Sequence, residues 1–207
     1  SSLDYAIALY PNNLEIFRLA VLPGTELFDR AADFGLVFDS KPPYLVVSTP
    51  TCPAQDLDRA EILARACDIF YTQGRAVAWF LAVLHPLKLK PSQFFQDFAS
   101  FLSGKKVSEQ SDQRTCEKLQ LEFIRIKFRE KQKAFLLPAV CDTIALNGAW
   151  TRALAEGEET RLSLSYHPED LFSPDAMDLE YFTENACMEH CEVRVFPGAE
   201  GPDMEIM

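Results

Sequence analysis

The sequence predicts a mainly α-helical protein with some β-structure (α+β): a strand, turn and helix at the start, then a helical bundle, then a small β element near the C-terminus. Apolar residues recur at helical spacing through most of residues 53–154. A β-favouring apolar run precedes them at residues 14–22, and apolar–polar alternation returns at residues 161–166 and 191–196. With 207 residues, 48% of them apolar, the chain can bury a core without disulfides or metals.

The first predicted elements are a strand, a turn and a helix. Residues 14–22 form the strand, and their apolar character on both sides indicates that both faces are covered. Pro23 and Gly24 form the turn. Thr25 is a suitable N-cap for a helix over residues 26–34, because its hydroxyl can accept a hydrogen bond from the first free N–H groups.

Gly35 suits the left-handed position that ends such a helix. Residues 36–51 then run extended, because their three prolines exclude a helix. Together these elements make residues 1–52 the first of three predicted regions.

The second region, residues 53–104, is predicted to be a helical extension. One helix runs over residues 53–73, and residues 76–84 are apolar all round, which is typical of a central helix. A third helix over residues 91–102 carries a row of aromatic side chains that indicates core rather than a cofactor site: Phe94, Phe98 and Phe101.

The third region, residues 105–207, is predicted to be helical with a short β pair and an acidic tail. A basic amphipathic helix runs over residues 113–131. The next helix, residues 134–154, contains Pro138 and therefore restarts or kinks there. The two alternating segments pair as a small sheet, and the tail from residue 197 is expected to be loose because of its Pro–Gly pairs.

The net charge of −11 argues against nucleic acid as the main partner and against a polybasic membrane anchor. The charge is uneven: residues 105–133 carry a net +4 and residues 178–207 a net −7. These are either two solvated faces, or the acidic tail folds back on the basic helix, or one of the two faces a partner. No stretch is long and apolar enough to span a bilayer, and a secretory signal is lacking, so we expect a cytoplasmic protein with no membrane partner.

The cysteine pattern favours a reducing compartment without structural disulfides. Four of the six cysteines occur singly in or beside helical segments: Cys52, Cys67, Cys116 and Cys141. Cys187, His190 and Cys191 form the one cluster with metal-binding side chains, but a tetrahedral zinc site needs four ligands, usually from two separated pairs. We therefore predict no metal site.

Catalytic motifs are not evident. His85 and His167 each precede a proline without a recognisable motif, and the sequence contains no G-x-S-x-G, P-loop or G-x-G-x-x-G pattern. Carboxylate pairs such as Asp56 and Asp58 lie in polar surroundings that are typical of solvated faces. We predict no catalytic residue in this chain. Free N–H groups after the turn at residues 22–25 could hold the polar edge of a cofactor, but this is a weak signal alone.

Residues 14–51 (LEIFRLAVLPGTELFDRAADFGLVFDSKPPYLVVSTPT) resemble the late part of a radical S-adenosylmethionine enzyme of the group with an N-terminal cobalamin-binding domain. The motifs are LPGT at residues 22–25, Gly-Leu-Val with a following acid at 35–39, Pro-Pro-Tyr at 42–44 and the Ser/Thr-Pro stretch at 48–51. A looser likeness continues to Leu102. Some relatives in this group of Fe–S oxidoreductases carry the label Mg-protoporphyrin ester oxidative cyclase.

The resemblance implies that residues 1–52 are the end of a partial (β/α) barrel. It also implies that Pro23, Gly24 and Thr25 border the S-adenosylmethionine site, as cofactor-binding residues. The parent protein would use a [4Fe–4S] cluster, S-adenosylmethionine and, as a candidate third cofactor, cobalamin. Its cluster loop, C-x-x-x-C-x-x-C, does not occur in this chain.

We therefore expect a non-catalytic C-terminal accessory region that closes the barrel and shapes substrate access or assembly. Its partners are the upstream barrel and cobalamin domains of the same polypeptide, and whether the chain belongs to an enzyme stays open. The chain begins at Ser1 within an apolar segment, which suggests a piece of a longer protein whose cut strand edge could pair in a homo-oligomer. The alternative is a stand-alone helical interaction module with no enzymatic parent, whose partner surface is the basic helix or the acidic tail.

Overall fold

The computed structural model describes residues 2–108 and 110–207, and it confirms the mainly helical α+β class. These residues form nine α-helices and two small antiparallel sheets. The helices are α1 (Ser2–Ala8), α2 (Glu26–Asp29), α3 (Ala54–Cys67), α4 (Phe80–Leu84), α5 (Pro91–Leu102), α6 (Gln113–Glu130), α7 (Leu137–Glu156), α8 (Pro168–Leu171) and α9 (Leu179–Asn185). The strands are β1 (Val37–Phe38), β2 (Val46–Ser48), β3 (Thr160–Tyr166), β4 (Met188–Pro197) and β5 (Pro202–Ile206).

The main core contains a cluster of aromatic rings from the segments around α3, α5 and α6. Phe70 lies at its centre, on a π-helical turn (Asp68–Gln73) that continues α3. Its ring centroid lies 4.9–6.5 Å from six others, all edge-to-face: Trp79, Phe80, Phe94, Phe95, Phe98 and Phe123. Edge-to-face pairs are a favoured geometry because a ring's positive edge meets its neighbour's negative face. The predicted aromatic row on α5 is thus part of the core.

Helix α6 fixes the end of the π-helical turn through Gln120. Its Nε2 donates to the carbonyl oxygens of Phe70, at 2.7 Å, and Gly74, at 3.1 Å. A Cβ at residue 74 would lie 2.1 Å from that Nε2, so glycine is required for this close approach. The contact ties α6 to the centre of the aromatic cluster.

A buried ion pair joins helix α7 to helix α6. Arg152, 2% exposed, pairs with Glu117 of α6 and also donates to Gln113. Gly148 makes the room, because a Cβ there would meet the Glu117 carboxylate at 1.9 Å. Pro138 lies in the first turn of α7, after a 3₁₀ turn (Ala134–Leu136), so the predicted helix restarts at Pro138.

The C-terminal sheet has the order β3-β4-β5 and packs against α7. The predicted pairing of the two alternating segments is confirmed, with Leu162 opposite Val193 and Leu164 opposite Cys191. The expectation of a loose tail is wrong, because Pro202–Ile206 forms a third strand that pairs with β4. Gly198 and Gly201 close the turn between them, where Gly198 N–H donates to Gly201 O at 2.7 Å.

The N-terminal region departs most from the prediction. Residues 14–22 are extended but form no strand, because they make only one β-bridge, Ala20 to Leu45. Helix α2 ends at Asp29 instead of residue 34, and turns carry the chain to Gly35. Gly35 does adopt the left-handed conformation, with φ +61°, and Leu36 N–H donates to Ala31 O at 2.9 Å, as a Schellman-type ending requires.

No helix in the described parts of the chain is long and apolar enough to cross a membrane.

Candidate functional site

The turn at residues 22–25 is an exposed corner that Thr25 holds together. Thr25 Oγ1 donates to Leu22 O at 2.7 Å and accepts from Phe28 N–H at 3.3 Å, so the predicted N-cap is confirmed. Gly24 has φ +82°, which favours glycine, and a Cβ there would meet nothing within 4 Å. Pro23, Gly24 and Thr25 are all exposed, and the turn faces open space.

The other three motif segments meet this corner. Val21 N–H donates to Tyr44 O at 2.8 Å, which joins the chain ahead of the turn to the Pro-Pro-Tyr segment. Tyr44 itself has a left-handed φ of +58°. A Cβ at Gly35 would lie 2.8 Å from the Pro50 ring, so the segments that contain Gly35 and Pro50 pack directly on each other. Four motifs that are apart in sequence therefore form one folded unit, which we call the motif corner (residues 19–52).

The motif corner has a small core of its own. It is built on three buried residues, Val21, Ala31 and Val46, with partly buried neighbours at its edge: Leu27, Leu36, Phe38 and Leu57.

The chemistry of the turn is limited. Helix α2 has only four residues, and Glu26 and Asp29 place negative charge at its start. The Thr25 hydroxyl already donates one hydrogen bond, to Leu22 O, and accepts another, from Phe28 N–H. The turn therefore offers shape and backbone rather than a side chain for proton transfer or anion binding.

Beside the turn, the extended segment exposes large apolar side chains. We call Ile16, Phe17, Leu19 and Leu22 the outer apolar surface; Phe17 is 82% exposed. One backbone edge of this segment bonds to residues 44 and 46. On the other edge, the N–H groups of Arg18 and Ala20 find no hydrogen-bond partner within the described residues. An apolar extended segment with a free backbone edge is a template for strand addition.

Arg18 anchors the same segment to α3. Its Nη2 donates to Asp58 Oδ1 at 2.8 Å and to Glu61 Oε2 at 2.6 Å, and the hydrogen bond to Asp58 raises the pKa of Arg18. Thr72 Oγ1 exchanges hydrogen bonds of 3.3 Å with the backbone of Leu14. The segment is therefore fixed on its inner side while its outer side stays open.

A protein-family model described as "Protein of unknown function (DUF4080)" matches residues 32–142, more than half of the 207-residue chain. The chain belongs to this family. Comparison with curated proteins gave no match, and neither did comparison with solved structures.

The DUF4080 match includes three of the four motif segments and the helices α3 to α6, and it ends within α7. It does not include the turn at residues 22–25. It extends 40 residues past Leu102, where the looser likeness was expected to end. The matched residues therefore span the later part of the motif corner and the helices that follow it.

The cysteines of this DUF4080 protein do not fit an iron–sulfur cluster. All six are unpaired, and no group of three Cys, His, Asp or Glu side chains in residues 2–108 and 110–207 could hold a metal. Cys191 is buried on the inner face of β4, whereas His190 points outward and Cys187 is exposed before the strand. Because neighbouring residues of a strand face opposite sides, these three side chains, which are close in sequence, do not converge.

His190 instead lies beside a serine and a glutamate on the outer face of the sheet. Its Nε2 is 3.3 Å from Ser163 Oγ and 3.4 Å from Glu192 Oε1. A catalytic triad needs the acid and the serine on different ring nitrogens, whereas here both face the same one. This cluster on an open sheet face therefore lacks the geometry of a hydrolase.

The two other histidines have separate surroundings. His167 is the N-cap of α8, where its Nδ1 accepts from Glu169 N–H at 3.3 Å. His85 lines an open, mostly apolar cleft of about 440 Å³ together with Lys88 and Glu180, and Glu180 is ion-paired with Lys133. Neither histidine has a nucleophile beside it in the contacts described.

Asp142, the last residue of the DUF4080 match, is a buried acid that sequence reasoning missed. Its Oδ2 accepts from Ser165 N–H at 2.6 Å, at the irregularity where β3 shifts register against β4. Burial raises the pKa of Asp142 to about 6, although that N–H group acts to lower it. The sequence does contain a sign of this buried acid, because Asp142 is the only charged residue between Ala134 and Arg152, in a helix that is otherwise largely apolar.

Proposed function

We propose that this DUF4080 chain is a non-catalytic C-terminal accessory region of a radical S-adenosylmethionine enzyme. The family is associated with radical S-adenosylmethionine and cobalamin-binding proteins. The region closes the barrel of the parent protein and shapes substrate access or assembly, and its partners are the barrel and cobalamin domains of the same polypeptide. The [4Fe–4S] cluster, S-adenosylmethionine and cobalamin belong to those domains in this proposal.

The observation that carries the proposal is the outer apolar surface beside a free backbone edge. In a (β/α) barrel, the backbone N–H groups along one edge of a strand pair with the next strand, and its outward side chains pack against the surrounding helices. A barrel strand without these neighbours therefore has both features. The backbone bond to Tyr44 and the ion pairs of the Arg18 side chain with α3 give the segment a fixed position before any partner binds. A preformed edge of this kind lowers the ordering cost of strand addition.

In this proposal the turn of Pro23, Gly24 and Thr25 borders the S-adenosylmethionine site, as the family resemblance implies. The engaged hydroxyl of Thr25 and the open space at Gly24 fit a rim that shapes a pocket, and neither residue takes part in a chemical step.

The first test is to read the gene upstream of Ser1. A C-x-x-x-C-x-x-C loop in the same reading frame supports the proposal, and a stop codon directly upstream contradicts it. The second test co-expresses the tagged chain with the separately encoded upstream part and measures how much of that part co-purifies. We expect Phe17→Glu to reduce recovery at least about tenfold, because a charge would be buried against an apolar strand.

Leu154→Glu is the matched control. Leu154 is 67% exposed on α7, outside the outer apolar surface, so the same change there should leave recovery unchanged. Equal losses in both variants, or full recovery with Phe17→Glu, would contradict a contact through the outer apolar surface.

A further inference from the structure

Helix α6 carries a straight row of cations on its exposed face. Arg114, Lys118, Arg125 and Arg129 are spaced by four, seven and four residues, so they lie within a narrow sector of the helix. All four are exposed. We call them the basic row; it extends about 22 Å at the ordinary rise of an α-helix. The opposite side of α6 is buried in the core: Cys116, Gln120, Phe123, Ile124 and Phe128.

The chain neutralises the basic row only in part, although it has 31 acidic residues. Arg114 is ion-paired with Glu158. Burial raises the pKa of the Cys141 thiol, and the Arg125 charge acts to lower it. Within the described residues no acid lies within ion-pair distance of Lys118 or Arg129.

The acidic C-terminal segment does not fold back on this row either. Its one ion pair with the 105–133 segment, among the described residues, joins Glu180 to Lys133, which lies beyond the end of α6. The charges of Lys118 and Arg129 therefore face solvent.

The shape and charge of the row favour a narrow acidic partner. A duplex or an anionic membrane presents a broad negative surface, and the rest of this protein, with its net charge of −11, would repel it over about 8–10 Å. An acidic polypeptide segment can lie along the row without meeting the remaining surface. Because such binding would rest on pairs of opposite charges, it would depend on salt.

We infer that the basic row of α6 is a docking surface for an acidic polypeptide segment of another protein. Glu or Asp side chains of the segment pair with Lys118 and Arg129, the two cations without partners. This surface is independent of the outer apolar surface and of the proposed function.

The test measures binding of a fluorescent poly-glutamate peptide of about 20 residues by anisotropy, at about 50 mM and about 300 mM salt. We expect binding at low salt that is lost at high salt. The double variant Lys118→Glu with Arg129→Glu should weaken it about tenfold, since two exposed attractions become repulsions. Circular dichroism checks that the variant remains folded.

A matched control distinguishes the effect of the basic row from the effect of the change in net charge. Lys41→Glu with Lys88→Glu makes the same change in net charge at two exposed sites outside α6 and should alter affinity less than about twofold. Equal weakening by both double variants, or no binding of the peptide at low salt, overturns the inference. Tighter binding of a short DNA duplex than of the peptide, with the same loss in Lys118→Glu/Arg129→Glu, also overturns it.

Discussion

The helical body (residues 53–207) and the motif corner differ in how completely they bury their apolar residues. The body has a continuous core that extends from the aromatic cluster around Phe70 to Val193 and Val195 of the C-terminal sheet. The motif corner has three buried residues in its core. Ten of the twenty large exposed apolar side chains in the described residues lie before residue 38, in less than a fifth of the chain. The body therefore buries most of its large apolar side chains within itself. The N-terminal part exposes a high share of them, as is typical of a surface that another structure covers.

The largest expected effect is in the core of the body. Phe70→Ala should destabilise the protein by about 3–5 kcal/mol, because it removes a fully buried ring that contacts six others and leaves a cavity. Val21→Ala, in the small core, should cost about 1 kcal/mol, because the exposed surroundings can relax into the space. Urea denaturation followed by circular dichroism gives both values.

Equal losses in the free energy of unfolding for Phe70→Ala and Val21→Ala would contradict the proposed difference between the two regions. A large loss in Val21→Ala would mean that the motif corner and the body unfold as one unit with a shared core.

The sequence predicted the body better than the motif corner, for physical reasons. The α5 aromatic row and the Thr25 cap could be predicted because helical spacing and capping are local properties of the chain. Residues 14–22 were predicted as a strand from their composition, but a strand also needs a neighbouring strand along its length. Among the described residues, only Leu45 and the residues beside it pair with the backbone of this segment in that way. The tail strand Pro202–Ile206 was missed because its pairing with β4 depends on tertiary context rather than on its Pro- and Gly-rich flanks.

The candidate site could be predicted only in part. The turn and its cap follow from the LPGT residues, but the contact of Gly35 with Pro50 and the bond from Val21 to Tyr44 are long-range. A free edge at the cut strand was expected, but the prediction that both faces of residues 14–22 are covered is wrong, because four of their large apolar side chains are exposed. Exposure depends on which neighbours are present rather than on the apolar run itself.

An intermediate effect is expected at the junction of α7 and the C-terminal sheet. The folded pKa of Asp142, about 6, is above its ordinary value of 3.8, so the folded state binds a proton more tightly than the unfolded chain. The stability from this group is complete below about pH 4 and is lost as the pH rises through about 6. The free energy of unfolding of the wild type, minus that of Asp142→Asn, should therefore fall by about 1–2 kcal/mol from pH 4 to 7, after allowing for partial solvent screening.

Denaturation curves at several pH values measure this difference, and the asparagine oxygen can still accept from Ser165 N–H. Asp175→Asn, at an exposed position, is the control, because it removes the same charge from the surface rather than from a buried site. A rise with pH in the Asp142 difference would show that the hydrogen bonds of this carboxylate outweigh its burial.

The smallest effect on stability, and the sharpest test of the contrast between regions, is expected at Phe17. Because its side chain is 82% exposed, Phe17→Ser should change the free energy of unfolding by less than about 0.5 kcal/mol. It should instead change association: the wild-type chain alone is expected to self-associate with rising concentration through the free edge of the extended segment, and Phe17→Ser should shift this to higher concentration. Light scattering over a concentration series measures it. A wild type that stays monomeric throughout would mean that exposed apolar side chains and two free N–H groups are too little for pairing between identical copies, so that a longer complementary strand is needed.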